Sequence, residues 1–162
     1  MNTTLLRAYP AGFWLFAALN FCFFLFIGAA GYVNSSVLGQ FISTQAIAAV
    51  FTGSSILAIV VLFLLPKAVS LFGARAIFLV TLPITALTML FFGFVESAPN
   101  AIFYFTIYVV TSYGFVYLLD LYVEHATKNE ATTGNVRGTF LVTMNLGLLL
   151  GILSTTVLVE GT

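Results

Sequence analysis

Five uncharged, mostly apolar runs constrain this chain more than any other feature. They extend from about Ala11 to Val33, Gln45 to Leu65, Ala76 to Val95, Ala101 to Leu119 and Thr139 to Val159. A bilayer core about 30 Å thick takes about 20 apolar residues of helix to cross, so each run is long enough to span it. All five Lys and Arg, and all five Asp and Glu, fall between or outside the runs. With 61% hydrophobic and only 6% charged residues, the chain is far below the ~25% charge of a soluble domain and lacks the polar surface that water demands. The sequence therefore predicts an all-α polytopic membrane protein. It reads as a single transmembrane helical domain over residues 1–162, with five spans and the lipid bilayer as its first partner.

Helices fit better than the strands of an outer-membrane barrel, which are about ten residues long and alternate strictly. Phe21 to Ile27 shows no alternation. Pro66 follows the second run and Pro99 opens the fourth, where a missing N–H costs little. Ser43 or Thr44 is placed to cap the second helix and Ser97 the fourth, and Pro83 predicts a kink inside the third. A second reading makes the first run a cleaved signal peptide, with Arg7 as its basic start and Gly28-Ala29-Ala30 as its cleavage site. Its apolar stretch is longer than the usual ~7 to 15 residues. Asn34-Ser35-Ser36 matches a glycosylation sequon, but it abuts the membrane.

Composition also excludes function classes. Five basic residues offer no footprint for phosphates, so nucleic acid is not a partner. One His and one Cys are too few for a usual zinc site. Without clustered His, Asp, Glu or Ser/His sets the chain is not expected to be an enzyme, and no cofactor or metal is expected. Arg7, Lys67, Arg75, Lys128 and Arg137 all fall on one side of the predicted topology, whereas 34–44, 96–100 and 160–162 contain no Lys or Arg. The positive-inside rule then places the N-terminus in the cytoplasm and the C-terminus outside, in what is expected to be a prokaryotic inner (plasma) membrane.

No charge lies near the middle of a run, so no coupling carboxylate is visible there. Polar neutral residues do occur at depth: Asn20, then Thr52, Ser54 and Ser55, then Ser112 and Tyr113, then Asn145. An amide in hydrocarbon needs a protein partner or a wet cavity. Asn20, Ser112, Tyr113 and Asn145 are therefore expected to face the interior, either joining helices or lining a cavity. Gly147-x-x-x-Gly151 is a small-xxx-small pattern that permits close helix approach, and Gly28 and Gly31 are placed to serve similarly. Asp120 and Glu124 are four residues apart on one helix face, at a helix end whose dipole disfavours anions. Arg137 and Arg75 are placed at helix N-termini, where the dipole disfavours cations, so mutual pairing would relieve both misplacements; solvation of each charge is the other reading.

The order of these loops resembles the N-terminal half of a major facilitator superfamily transporter. That family carries a Gly-x-x-x-Asp-Arg-x-Gly-Arg-Arg type motif between spans two and three. Here its tail is present as Phe72-Gly73-Ala74-Arg75, with Leu65 or a neighbour at the leading glycine position and Ser70 or a neighbour at the acidic one, so only Gly73 and Arg75 are carried over. Asp120-x-x-x-Glu124, then Gly134-x-x-Arg137-Gly138, then Asn145, is similar to a pattern in bacterial and archaeal members. The resemblance implies a secondary carrier that moves a small solute by alternating access, built from inverted three-helix repeats in two six-span halves. It also implies that this chain is an N-terminal bundle without its sixth span, partnered by a missing C-terminal half. Spans one, two, four and five would flank the cavity. The alternative is a small five-span structural or assembly subunit.

Overall fold

A computed structural model of the chain describes residues 12–126 and 130–160. Helix is the only regular structure among them: α1 (Phe13–Gly39), α2 (Thr44–Phe72), α3 (Ala74–Phe92), α4 (Ala98–Ala126) and α5 (Glu130–Glu160). All five are long and apolar enough to cross a membrane. In lipid every backbone N–H and C=O must be paired within its own segment, and uncharged runs of this length meet that demand as helices. Large apolar side chains stand outward, as lipid contact allows; Phe63 is 81% exposed and Phe94 75%. The protein is a polytopic helical integral membrane protein.

The helices outrun the apolar stretches that mark them. α1 continues six residues past Val33, α2 runs through Pro66 to Phe72, and α5 begins at Glu130 rather than near Thr139. Only α3 is shorter, ending at Phe92 instead of Val95. Leaving hydrocarbon removes the compulsion to be helical but not the hydrogen bonds, so polar flanks extend the rods. Gly134, Gly138 and Arg137 consequently lie inside α5, not in a loop leading to it. Ser43 caps α2, its Oγ accepting from the N–H of Ala46 at 3.3 Å. Gly73 alone joins α2 to α3, at φ +82°, a left-handed conformation that a side chain would oppose.

The chain divides into two compact units, with α1 and α4 contributing to both. One holds α5, α1 up to Val33 and α4 from Leu119; the other is Asn34–Leu118. In the first unit, α1 and α5 lie side by side and parallel. Phe21 and Leu25 backbone atoms face Gly147, while Leu25, Gly28 and Ala29 face Gly151. Beside them Phe13, Ala17, Val123 and Val136 form a buried cluster against Phe140, and Phe16 stacks on Tyr122 at 3.5 Å between ring centres.

In the second unit α2 and α4 are also parallel, and α3 runs antiparallel to α4. Phe105 is fully buried between Phe51 at 4.5 Å and Phe92 at 6.0 Å. Phe78 meets Phe115 at 5.0 Å. Buried Gly114 admits Thr81 and Leu65, whose side chains would stand 3.8 and 3.9 Å from a Cβ placed there.

Candidate functional site

Asn20 is wholly buried. Its Nδ2 donates to the carbonyl of Phe140 at 2.9 Å and to Thr143 Oγ1 at 3.0 Å, binding α1 to α5. Thr143 in turn donates to the same carbonyl at 2.9 Å. Because Phe140 O can only accept, the amide nitrogen must face it, and Oδ1 is left pointing elsewhere. That Oδ1 has no hydrogen-bond partner among the described residues.

In the other unit Ser54 and Thr106 share a hydrogen bond of 3.0 Å between α2 and α4. These two polar links correspond. Asn20 has a close-packed Gly28 eight residues on, and Thr106 has Gly114 eight residues on. Thr143 is followed one turn later by buried Gly147, and Ser54 by buried Ala58. The two parallel pairs thus share a polar link followed by small residues at matching sequence spacing.

Asn34 and Ser112 are each only 5% exposed, as is Tyr108. Asn34 Oδ1 and Ser112 Oγ form no hydrogen bond within 3.5 Å among the described residues. Asn34 had read as the start of a polar outer loop. In α1 it belongs to the buried stripe Phe13, Ala17, Asn20, Phe23, Ala30, Asn34, Leu38, whose steps of three, four and seven residues continue past the apolar run. That periodicity was the signal available for it. It also removes Asn34 from glycosylation, since its amide is enclosed. Tyr108 carried no such signal, being one aromatic residue in an apolar helix.

The remaining expected site residues are placed differently. Tyr113 is 49% exposed, and Asn145 is exposed with its Nδ2 bonded back to Leu141 O at 2.8 Å. Neither is enclosed. An amide can satisfy itself on the preceding turn of its own helix, and α5 is apolar on every side, so nothing in the sequence fixed which face Asn145 would present. Gly147 and Gly151 both lie on the α1 contact. Gly73 forms the α2–α3 turn, and Arg75, the second residue of α3, is exposed.

Asp120, Glu124 and Arg137 are exposed too. Among the described residues, Asp120, Arg75 and Arg137 take part in no ion pair, so the expected pairing of Arg137 with the two carboxylates is not formed. An exposed pair gains only about 0 to 1 kcal/mol, little reason to hold long side chains together. Arg7 and Lys128, two of the five cations in the orientation argument, lie outside the described residues. No group of three or more His, Cys, Asp or Glu among the described residues could hold a metal.

The fold and these buried groups define a polytopic membrane protein with uncharged polar groups set inside its helices. Comparison with protein-family models, curated proteins and solved structures finds no match.

Proposed function

We propose that this chain is a membrane transport protein, the N-terminal bundle of a facilitator-type secondary carrier that moves a small solute by alternating access, with its N-terminus in the cytoplasm. The observation that carries the reading is the set of enclosed polar atoms, Asn20 Oδ1, Asn34 Oδ1 and Ser112 Oγ, that no described residue satisfies. A buried unsatisfied group costs about 1–3 kcal/mol. A protein whose helices only held one another together would gain by replacing such groups with apolar ones, whereas a solute path needs polar groups left open. The correspondence of α1·α5 with α4·α2 lends further support, since inverted three-helix repeats underlie many carriers. One-sided placement of Lys67, Arg75 and Arg137 supports the orientation.

The test is counterflow in proteoliposomes containing the intact carrier of which this bundle is part, with a panel of small neutral, anionic and cationic solutes. The expected result is saturable exchange of at least one solute, abolished by Ser112→Phe. Absence of saturable exchange throughout the panel, with the helices intact by circular dichroism, would return the chain to the reading of a structural or assembly subunit.

A further inference from the structure

We propose that the outward face of α5 pairs with the same face of a second copy of this chain, closed by reciprocal hydrogen bonds between the two Asn145 amides. Asn145 stands at the middle of the span Gly134–Val157 and is exposed. Its Nδ2 gives one proton to Leu141 O at 2.8 Å. An amide carries two such protons and an accepting oxygen, so one proton and Oδ1 are left over, and no described residue meets them. Hydrocarbon at that depth neither donates nor accepts, so the remainder of the amide needs a protein partner.

What is left over selects the partner. One free proton and one free acceptor are complementary to themselves: each Asn145 gives its proton to the other's Oδ1 and takes one in return. A carboxylate would bring no proton and a lysine no acceptor, and either would add a charge at mid-membrane. A second copy inserted the same way offers the matching amide at the same depth and on the same face. A two-fold axis along the membrane normal then sets the face against itself.

The spacing around Asn145 fits a helix pair. Val142, Asn145, Leu149, Ile152 and Thr156 follow one another by three, four, three and four residues, the 3.5-residue repeat of two helices wound left-handed about each other. All five are exposed; Val142 is 64% open, Leu149 54% and Ile152 49%. The face is clear of α1, because Gly147 and Gly151, which abut α1, lie on the other side of α5, two residues being about 200° of helical turn. Apolar side chains alone would gain little over contact with lipid tails. The amide is what favours pairing, and a single asparagine in an apolar seam fixes register and strand number.

The experiment uses the full chain in phosphatidylcholine vesicles, as donor- and acceptor-labelled copies mixed at protein-to-lipid ratios from dilute to dense. The expected result is saturable energy transfer, with an association constant lowered about tenfold by Asn145→Leu, as loss of the reciprocal bonds implies. In nanodiscs holding one chain the same substitution leaves thermal unfolding unchanged, which separates lost pairing from lost fold. A second measurement leaves Asn145 in place: in a Cys22→Ser background, oxidation should join copies carrying Leu149→Cys or Ile152→Cys and spare Leu150→Cys, which is turned about 100° from Leu149. No saturable transfer, transfer indifferent to Asn145→Leu, or equal cross-linking at all three positions overturns the proposal. The pairing does not rest on the carrier reading: counterflow by a carrier that stays monomeric keeps that reading and removes this one.

Discussion

At Gly151 there is no room for a side chain: a Cβ would collide with the carbonyl of Leu25 and stand 3.0 Å from the Cα of Gly28. Backbone cannot step aside as a flexible side chain can, so α1 and α5 must part. Gly151→Leu should lower stability by about 1–3 kcal/mol, the usual cost of overpacking, and the same holds for Gly147→Leu. Gly31→Leu is the control, since nothing lies within 4 Å of a Cβ there; thermal unfolding in nanodiscs should leave it unchanged. The polar link beside these glycines is tested by a double-mutant cycle of Asn20→Leu with Thr143→Val. The expected coupling is about 0.6 kcal/mol, in the range of hydrogen bonds between membrane helices. Asn145→Leu should be neutral, because its amide bonds only its own helix. The glycine pattern on α5 was legible in the sequence because small residues four apart leave a groove whichever helix fills it. The difference between Asn20 and Asn145 was not: both are amides in apolar surroundings, and only tertiary contact decides which one is enclosed.

Among the elements, the α2–α3 connection is the tightest, a single residue. Gly73 holds φ at +82°, where an L side chain costs about 1–2 kcal/mol. Gly73→Ala should therefore destabilise by that amount in an unfolding titration. Gly53→Ala, in an ordinary turn of α2 with open space around it, should be neutral or stabilise by about 0.5–1 kcal/mol. This turn gives Gly73 a conformational reason to be glycine. Element number and order could be read from the uncharged runs, because hydrocarbon thickness sets a minimum helix length. Helix ends could not, because beyond the hydrocarbon the backbone bonds of Asn34–Gly39, Pro66–Phe72 and Glu130–Gly138 persist without an unbroken apolar run to mark them. The same extension displaced the expected charge cluster: Arg137 lies two turns inside α5 and exposed. Arg137→Gln should accordingly change stability by less than about 0.5 kcal/mol, as for surface positions generally.

For the whole molecule, the proposal is that enclosed polar groups serve a solute rather than the fold, and that they are reached in turn from both faces of the membrane. Ser112 is the place to ask. It is 5% exposed, its hydroxyl is unmet, and cysteine differs from serine by one atom. Cys22, the sole native cysteine, is exposed and can be removed as Cys22→Ser. In that background Ser112→Cys is treated with a membrane-impermeant thiol reagent, in right-side-out and in inside-out vesicles. The account predicts modification in both preparations, more slowly than at an exposed position because the enclosed state must open first. Modification from one face only, or from neither, would contradict it.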